Sequence, residues 1–477
     1  MTGPSEQTPL AWGHKPLVAI VGRPNVGKSS LFNAIVGKRT AIVSDIAGTT
    51  RDRLASSVEY AGRELLLADT GGLVPDPESE MDAHIASQVA AAIGGADAVI
   101  FVTDARQGVT FADEHVAMQL RRWGKPVVLA VNKADNLQQE AMSVDLYELG
   151  LSDPIPVSAI QRRGLDEVLE AVLKHLPPPS DEPDIPPDAA QIAIAGRPNV
   201  GKSALANAIL GTERSIVSPV AGTTRDALDT PFEYQDQKAV LIDTAGIRRR
   251  GAIEKGIERY SVLRAVRALD RCDVAVLVVD ATEPATDQDL HIAGQIMSTF
   301  KGAVVAVNKW DLVEETGRRD EKAFRNLMLA RLRFMSWVPV VFISALEGTG
   351  IDRLLDTVFQ VYDKRREWVP QPELSRVVMG AISRHLPPSD AYGSLKLYRV
   401  KQEAVSPPSF VFYCNNPHRV HFSYERYLEN TIREAFGFEG THLKLEFRGK
   451  GKSHVIGQNR AKHAGPKTPS PTRRGRR

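Results

Sequence analysis

Cysteine is nearly absent from this sequence of 477 residues, which contains only Cys272 and Cys414. The two stand far apart, and neither belongs to a CxxC pair. A disulfide framework and a zinc site are therefore both excluded. We expect each thiol to be a small buried apolar side chain in a reducing compartment.

Long apolar runs are also missing. The most apolar stretch, residues 89–102, is interrupted by Asp97 and is shorter than the roughly 20 residues that cross a bilayer. Residues 1–15 contain proline, glutamate and glutamine where a signal peptide would have a basic start and an apolar run. We therefore expect a cytoplasmic protein with no membrane partner.

Neither charge is in excess, since 60 Lys and Arg face 58 Asp and Glu. The distribution is uneven, however, because residues 448–477 hold ten basic and no acidic residues, which leaves −8 on the rest of the chain. Such a tail is expected to be disordered and able to neutralise several phosphates in a salt-dependent way. A role in solubility alone is the alternative.

A set of sequence motifs occurs twice along the chain. GRPNVGKS at residues 22–29 recurs unchanged at 196–203, an offset of 174. AGTTRD (47–52, 221–226) and DT[GA]G (69–72, 243–246) keep that offset, and NKxD (132–135, 308–311) and SA (158–159, 344–345) follow at offsets of 176 and 186. A repeat this long indicates tandem domains. The segment 177–188 between them, rich in proline and acid, predicts an extended linker.

Within each copy, short apolar runs alternate with longer amphipathic stretches. The runs are 17–21, 65–68, 98–102, 127–131 and 155–157 in the first copy, and 192–195, 239–242, 274–279, 303–307 and 340–343 in the second. Runs of this kind predict strands buried on both faces. The predicted fold class is therefore α/β, with doubly wound, mostly parallel sheets that have helices on both sides.

The repeated GRPNVGKS follows a predicted strand and opens a predicted helix, which is the setting of a phosphate-binding loop, or P-loop. Its glycines let backbone N–H groups surround a β-phosphate, and the helix N-terminus adds partial positive charge. Lys28 and Lys202 are placed to reach the β- and γ-phosphate oxygens. Ser29 and Ser203 are placed to bind Mg²⁺.

Asp69 and Asp243 each end an apolar run about 40 residues after a P-loop. A carboxylate in that position holds Mg²⁺ through water. The N–H of Gly72 or Gly246 is then offered to the γ-phosphate.

The NKxD motifs follow further predicted strands. The carboxylates of Asp135 and Asp311 accept two hydrogen bonds, which matches the N1–H and 2-amino donors of guanine and not adenine. The motif therefore predicts GTP rather than ATP. Each SA pair fits a loop whose backbone N–H donates to guanine O6.

These ordered motifs, present twice and followed by a smaller C-terminal region, resemble the Der (EngA) family of bacterial tandem GTPases over residues 15 to about 450. The resemblance implies hydrolysis of GTP to GDP and phosphate, a KH-like third domain, and action in assembly of the 50S ribosomal subunit with its rRNA as partner. It also implies Mg²⁺, and K⁺ in place of an arginine finger, held by Asn25 and Asn199. The alternative is that these asparagines only tie down the loop through their own backbone.

The glutamine that orients water after DTAG in small regulatory GTPases is replaced by Leu73 and Ile247. Because neither side chain can hydrogen-bond water, we expect slow hydrolysis at both sites without K⁺. Thr50 and Thr224 are predicted to reach Mg²⁺ when GTP is bound, and the adjacent threonines 49 and 223 are the alternatives.

The candidate residues fall into three groups. The nucleotide-binding set is Gly22, Arg23, Pro24, Asn25, Val26, Gly27, Lys28, Ser29, Asp69, Thr70, Gly71, Gly72, Leu73, Asn132, Lys133, Ala134, Asp135, Ser158 and Ala159 in the first copy and Gly196, Arg197, Pro198, Asn199, Val200, Gly201, Lys202, Ser203, Asp243, Thr244, Ala245, Gly246, Ile247, Asn308, Lys309, Trp310, Asp311, Ser344 and Ala345 in the second. The catalytic set is Asn25, Lys28, Gly72, Asn199, Lys202 and Gly246, and the magnesium ligands are Ser29, Thr50, Asp69, Ser203, Thr224 and Asp243.

The segments that follow the two DT[GA]G motifs differ in charge. Residues 73–95 carry −4, whereas residues 247–271 carry +5. These segments are expected to move on nucleotide exchange, so the two domains would present differently charged switches to different surfaces. The alternative is two solvated helix faces.

Beyond residue 364 the predicted order is α-β-β-α-β, which agrees with a KH-like α+β module. Ser423 is predicted to cap a helix that Gly437 ends. The only GxxG, Gly437 to Gly440, joins a helix to a strand and carries an acid, so it is predicted to be a turn rather than an RNA grip. The domain is then free to dock on the second GTPase domain.

We predict a disordered N-terminus (1–15), GTPase domains at 16–176 and 191–364 joined by the linker 177–190, a KH-like domain (365–447) and a basic disordered tail (448–477). The expected protein is a monomer that binds GTP and GDP and serves 50S maturation through nucleotide-dependent rearrangement of the two GTPase domains around the KH-like domain. A protein-binding switch with an incidental tail is one alternative. A tRNA-modification GTPase is another, but the chain has no room for its catalytic region.

Overall fold

The structure is a computed structural model that describes residues 15–39, 55–72, 95–176, 188–211, 215–217, 229–244, 261–314, 320–387, 389–390, 393–449 and 452–453. These residues form three sheets of six, seven and four strands and one small two-stranded sheet. The fold prediction, two mostly parallel α/β domains followed by a small α+β domain, is confirmed. No helix among the described residues is long and apolar enough to cross a membrane.

The first domain is built on a six-stranded sheet in the order β2-β3-β1-β4-β5-β6. Its elements are β1 (Leu17–Val21), α1 (Lys28–Arg39), β2 (Ala55–Tyr60), β3 (Arg63–Asp69), β4 (Ala98–Asp104), α2 (Phe111–Trp123), β5 (Val127–Asn132), α3 (Leu137–Ala141), β6 (Ile155–Pro156) and α4 (Leu165–His175), with 3-10 turns at Thr70–Gly72 and Met142–Leu149. Only β2 runs antiparallel to its neighbour within this sheet. The central strands β1 and β4 are buried along their whole length, as their unbroken apolar sequences require.

The second domain repeats this plan in a seven-stranded sheet, β13-β12-β11-β7-β10-β9-β8. Its elements are β7 (Ala190–Ala195), α5 (Lys202–Gly211), β8 (Ser215–Val217), β9 (Thr230–Tyr234), β10 (Gln237–Ile242), α6 (Ser261–Arg271), β11 (Val274–Asp280), α7 (Asp287–Ser298), β12 (Gly302–Asn308), α8 (Trp310–Glu314), α9 (Glu321–Arg331), β13 (Val340–Phe342) and α10 (Ile351–Arg365), with a 3-10 turn at Arg333–Met335. All ten apolar runs are strands. Each sheet has an apolar cluster on both faces.

The third domain packs two helices on a four-stranded sheet. Its elements are α11 (Gln371–Arg384), β14 (Ser389–Asp390), β15 (Gly393–Ser394), β16 (Leu397–Val405), β17 (Pro408–Cys414), α12 (Phe422–Phe436), β18 (Lys444–Gly449) and β19 (Lys452–Ser453), with a 3-10 turn at Pro417–Arg419. The predicted order of elements is confirmed, but the N-cap of α12 is His421 and not Ser423. The His421 imidazole accepts the Ser423 N–H, which satisfies a donor that the helix itself cannot.

The sheet of the third domain extends beyond residue 447, where we predicted the tail to begin. Arg448 lies within β18 and forms ion pairs with Glu403 at 2.8 Å and with Glu446 at 2.8 Å. Its charge is therefore used inside the sheet rather than in a free tail. Both cysteines are unpaired and buried, as predicted.

The GxxG turn docks the third domain on the second. Gly440 accepts the Ala303 N–H at 2.8 Å and donates its own N–H to the Trp337 carbonyl at 2.9 Å. A Cβ on Gly440 would lie 2.2 Å from Cγ2 of Val361, so only glycine allows this approach. The turn is thus a domain contact, and the prediction that it is not an exposed RNA grip agrees with its position.

The first domain rests on α6 of the second. Leu263 is fully buried within the apolar cluster that covers one face of the first sheet. Around it, Arg267 lies 3.7 Å from Asp97, and Lys15 lies 3.7 Å from Asp270. A helix of one GTPase domain therefore completes the core of the other.

Candidate functional site

The two P-loops have the same backbone conformation. The φ angles of Gly22, Asn25 and Gly27 are +155°, +64° and +93°, and those of the matching residues in the second loop are +153°, +64° and +95°. Asparagine tolerates the left-handed region better than other non-glycine residues. This conformation gives a reason for asparagine at Asn25 and Asn199 that needs no bound ion.

Lys28 lies across the mouth of its own loop. Its ammonium donates to the carbonyls of Gly22 at 2.8 Å and Arg23 at 2.9 Å, and Lys202 repeats this arrangement. Burial lowers the pKa of Lys28 to about 8, although the nearby Asp69 carboxylate opposes the shift. The charge is thus held where an incoming phosphate oxygen can replace two carbonyl acceptors.

The arginine of each P-loop anchors the loop to a neighbouring helix. Arg23 Nε donates to both carboxylate oxygens of Asp113 at 3.2 Å, and Asp113 also caps α2 through the capping box that it forms with Thr110. In the second domain, Arg197 bonds to Glu283 at 2.8 Å and lies 3.6 Å from Asp289, which caps α7 in the same way. Both arginines therefore position the loop rather than point into its centre.

Ser29 and Asp69 fit a magnesium ion by their chemistry. Both offer oxygen, the ligand atom that Mg²⁺ prefers, and few protein ligands suffice because phosphate and water complete the shell. Asp69 Oδ1 accepts the Gly71 N–H at 2.8 Å. A Cβ on Gly71 would lie 3.1 Å from that oxygen and 3.2 Å from Cε of Lys28, so carboxylate and lysine flank one space. A magnesium ion held there would supply charge neutralisation for the phosphates.

Asn132 braces two loops of the first site. Its Nδ2 donates to the Val26 carbonyl at 2.8 Å, and its Oδ1 accepts the Ala159 N–H at 3.1 Å. Asn308 makes the equivalent bonds to Val200 and Ala345 at 2.8 and 2.9 Å. The motif asparagine therefore ties the P-loop to the SA loop.

Lys133 joins the P-loop to the end of β4. Its ammonium donates to the Asn25 carbonyl at 2.8 Å and to Asp104 Oδ2 at 2.6 Å. Lys309 pairs with Asp280 in the same position of the second domain. The Trp310 side chain next to it is buried against Phe342, with ring centroids 4.4 Å apart, so only its backbone faces the loop.

Asp135 already has two side-chain donors. Its Oδ1 accepts from Ser158 Oγ at 2.6 Å and its Oδ2 from Arg106 Nη2 at 2.6 Å. The hydrogen bond from Ser158, together with Arg106, lowers the pKa of this carboxyl below its usual value. The carboxylate is thus fixed and ionised at the position where the sequence predicts guanine recognition.

Six of the predicted site residues lie outside the described residues. They are Thr50, Leu73, Thr224, Ala245, Gly246 and Ile247. The switch segments 73–94 and 245–260, the linker 177–187 and most of the tail lie there too. All other predicted residues gather at the carboxyl ends of the parallel strands, where α/β sheets bind ligands.

Sequence reasoning missed the residues that hold the site together. These are Asp104, Asp113, Asp280 and Asp289, and also Arg106 on the turn after β4. The signal was available for the capping pairs, because TxxD stands at 110–113 and again at 286–289 with the offset of 176. Arg106 has no counterpart in the second copy and gave no repeat signal.

Comparisons with known proteins match both nucleotide-binding domains and the third domain. A family model described as a 50S ribosome-binding GTPase matches residues 17–133 and 191–309, and a model for the C-terminal KH-domain-like region of EngA bacterial GTPases matches 369–448. The chain is 50% identical to the GTPase Der of Thermomicrobium roseum over 445 residues, which is 92% of this chain and 97% of that protein. It is 47% identical to the GTPase Der of Chloroflexus aggregans over 443 residues, or 91% and 98% of the two chains. The full-length similarity and the family-model matches show that the chain is a GTP-hydrolysing member of the GTPase Der family.

Proposed function

We propose that the chain is an assembly factor of the 50S ribosomal subunit whose two nucleotide states set the arrangement of its three domains. The family description of both GTPase regions as 50S ribosome-binding supports the ribosomal partner. The factor would act in the cytoplasm as a monomer. Its domain limits would be those given above, except that the third domain would extend to residue 453 and the tail that meets rRNA would begin after it.

The observation that carries this proposal is the connection from Asp243 to the first domain. The Asp243 N–H donates to Asp229 Oδ1 at 3.0 Å, and the other oxygen of Asp229 pairs with Arg271 of α6. About two turns earlier in α6, Leu263 enters the core of the first domain. A change at the second magnesium and phosphate site can thus reach the first domain through one helix.

The third domain packs against the second domain. The His442 ring stacks on Phe300 with centroids 4.4 Å apart, and Arg433 lies 4.8 Å from the Trp337 ring. Because these partners belong to the second domain, a movement of the first domain would change which faces of the second and third remain open. We assign this change in the exposed faces of the second and third domains to the binding of GTP.

At each site the predicted residues would bind different parts of the nucleotide and its metal ion. The P-loop N–H groups and Lys28 or Lys202 would hold the phosphates, and Ser29 with Asp69, or Ser203 with Asp243, would hold Mg²⁺. Asp135 and Asp311 would recognise guanine. We further propose that K⁺ at Asn25 and Asn199 neutralises charge between the β- and γ-phosphates.

Co-sedimentation with 50S precursors tests the assembly function. The full chain is mixed with the particles in the presence of a non-hydrolysable GTP analogue, GDP or no nucleotide, at several salt concentrations. We expect binding that depends on nucleotide and falls with salt. Equal binding of all three forms would overturn the switch. Unchanged binding and an unchanged salt slope in a chain cut after residue 453 would favour a protein-binding switch with an incidental tail.

Single-turnover hydrolysis tests the monovalent ion. We expect faster hydrolysis in K⁺ than in Na⁺ at matched ionic strength, and a smaller difference after Asn25→Asp or Asn199→Asp. Equal rates in both salts would show that the asparagines serve the loop backbone alone.

A further inference from the structure

The two guanine-recognition carboxylates differ in what already binds them. Both oxygens of Asp135 are engaged, one by Ser158 and one by Arg106. In the second domain, Oδ1 of Asp311 is buried and has no hydrogen-bond partner among the described residues. In the first domain each oxygen of the motif carboxylate therefore already accepts one side-chain hydrogen bond, whereas in the second domain one oxygen is buried and accepts none from the described residues.

The difference starts on the turn after β4 in the first domain and after β11, the matching strand, in the second. Asp104 Oδ1 accepts the Arg106 N–H at 3.0 Å, which fixes the turn and sends the guanidinium towards Asp135. The matching residue of the second domain is Thr282. Its N–H and its hydroxyl both donate to Asp280 Oδ1, at 2.9 and 2.6 Å, so its short side chain folds back on the turn.

Arg106 is in a position to yield to a ligand. Its side chain is 52% exposed and that of Asp135 is 21% exposed, so the pair lies at the rim of the site. An ion pair with this exposure adds little stability, because water and salt screen it. A base that offers two donors can replace Arg106, whereas a base that offers one leaves an oxygen for it.

Guanine and hypoxanthine differ by one donor at this edge. Guanine offers N1–H and the 2-amino group, and hypoxanthine offers N1–H alone. A buried acceptor left without a donor is costly, which is how a site rejects an analogue that lacks a hydrogen-bonding group. The cost falls when the protein supplies the missing donor.

We propose that Arg106 sets the base specificity of the first domain by supplying the second donor to Asp135 whenever the base lacks a 2-amino group. The first domain then discriminates less between guanine and hypoxanthine nucleotides than the second, where Thr282 cannot reach Asp311. This inference rests on the proposed role of Asp135 and Asp311 as guanine acceptors. Arg106 is a specificity residue and takes no part in the chemical step.

The test compares Kd values for GDP and IDP at each site of the full chain. Asp311→Asn leaves the first site as the only one with two acceptor oxygens for guanine, and Asp135→Asn does the same for the second. If neither variant loses one of two GDP sites, the assignment of the carboxylates fails before Arg106 is tested. If each loses one, the IDP to GDP ratio of Kd is measured at the remaining site.

We expect a ratio about fivefold lower at the first site than at the second, the change that an exposed ion pair of this strength provides. Arg106→Thr should raise the ratio at the first site to that of the second, and Arg106→Lys, which keeps a donor, should raise it less. Thr282→Arg should lower the ratio at the second site. Equal ratios at the two sites, or no change with Arg106→Thr while GDP still binds, would overturn the proposal.

Discussion

The side-chain amide of Asn132 lies so close to Gly27 that a Cβ on this glycine would come within 2.3 Å of Nδ2. The contact exists because the amide donates to the carbonyl of the preceding residue, Val26, at 2.8 Å. The asparagine of NKxD and the second glycine of the P-loop are therefore in direct contact, and a side chain at the glycine would displace the asparagine amide. The pair Asn308 and Gly201 repeats the contact at 2.2 Å.

Asn132→Asp should weaken GDP binding at the first site by at least tenfold. The carboxylate keeps an acceptor for the Ala159 N–H but cannot donate to Val26, and it places two like oxygens face to face. The measurement is a GDP titration of the Asp311→Asn chain with and without the change. Asn136→Asp is the matched control, because Asn136 only accepts a hydrogen bond, at 2.9 Å, as the cap of α3. Comparable losses in both variants would show that added charge, and not the lost donor, is responsible.

Arg23→Ala should destabilise the first domain by about 3–5 kcal/mol, since it leaves the carboxylate of Asp113 buried without its cation. Arg197→Ala should destabilise the second domain by a smaller free energy. Arg197 is anchored partly by Glu283, whose side chain is 67% exposed and can return to water. Hydrogen exchange followed separately in each GTPase domain during thermal unfolding measures the two losses of stability. A loss from Arg197→Ala equal to or larger than that from Arg23→Ala would contradict the argument.

Nucleotide binding at the first site should take up a proton above pH 8. Burial lowers the pKa of Lys28 to about 8 in the empty loop, and phosphate oxygens favour the charged ammonium, so the bound pKa is higher. Affinity for GDP should then be constant below about pH 8 and fall by up to tenfold per unit above it. Titration calorimetry of the Asp311→Asn chain at pH 8.5, in buffers of different ionisation enthalpy, measures the proton count. Lys28→Arg, which stays charged, is the control, and an uptake of zero in the unaltered lysine form would refute the assignment.

The sheets and the nucleotide motifs could be predicted because their signals are local. A short run of mostly β-branched apolar residues, such as 274–279, predicts a strand buried on both faces, and the repeat offered each motif twice. Two outer strands were missed, β2 at the edge of the first sheet and β9 next to the edge strand of the second. Their burial alternates or is partial, and their sequences contain serine, glutamate and proline. Contacts between distant segments left no local signal. Neither Leu263 in the core of the first domain nor Arg106 on Asp135 follows from periodicity or spacing.

The attachment of the third domain should weaken as pH falls below about 6.5. His442 is buried between Phe300 and Trp337, and its Nδ1 faces the Met297 carbonyl at 3.0 Å. Burial lowers its pKa to about 4, and Arg433 and Arg365 act in the same direction. Because the released imidazole has a pKa of about 6.5, protonation favours the undocked state between about pH 6.5 and pH 4. Hydrogen exchange of β18 measures this, and His442→Phe, which keeps the stacking, should flatten the pH profile; an unchanged slope would assign the effect to other groups.

Leu263→Asp should separate the first domain from α6 without unfolding either GTPase domain. The side chain is fully buried between the domains, and a carboxylate there loses its water and the apolar contacts of the leucine. The radius of gyration from small-angle scattering should rise, and GDP release from the first site should no longer depend on whether the second site holds GDP or a GTP analogue. Leu327→Asp on α9, at a side chain that is 49% exposed, adds the same charge without touching the contact and should change neither quantity. If the Leu263 variant kept both the compact shape and the dependence between sites, the route through α6 would have to be abandoned, because the helix would then carry no coupling between the two domains.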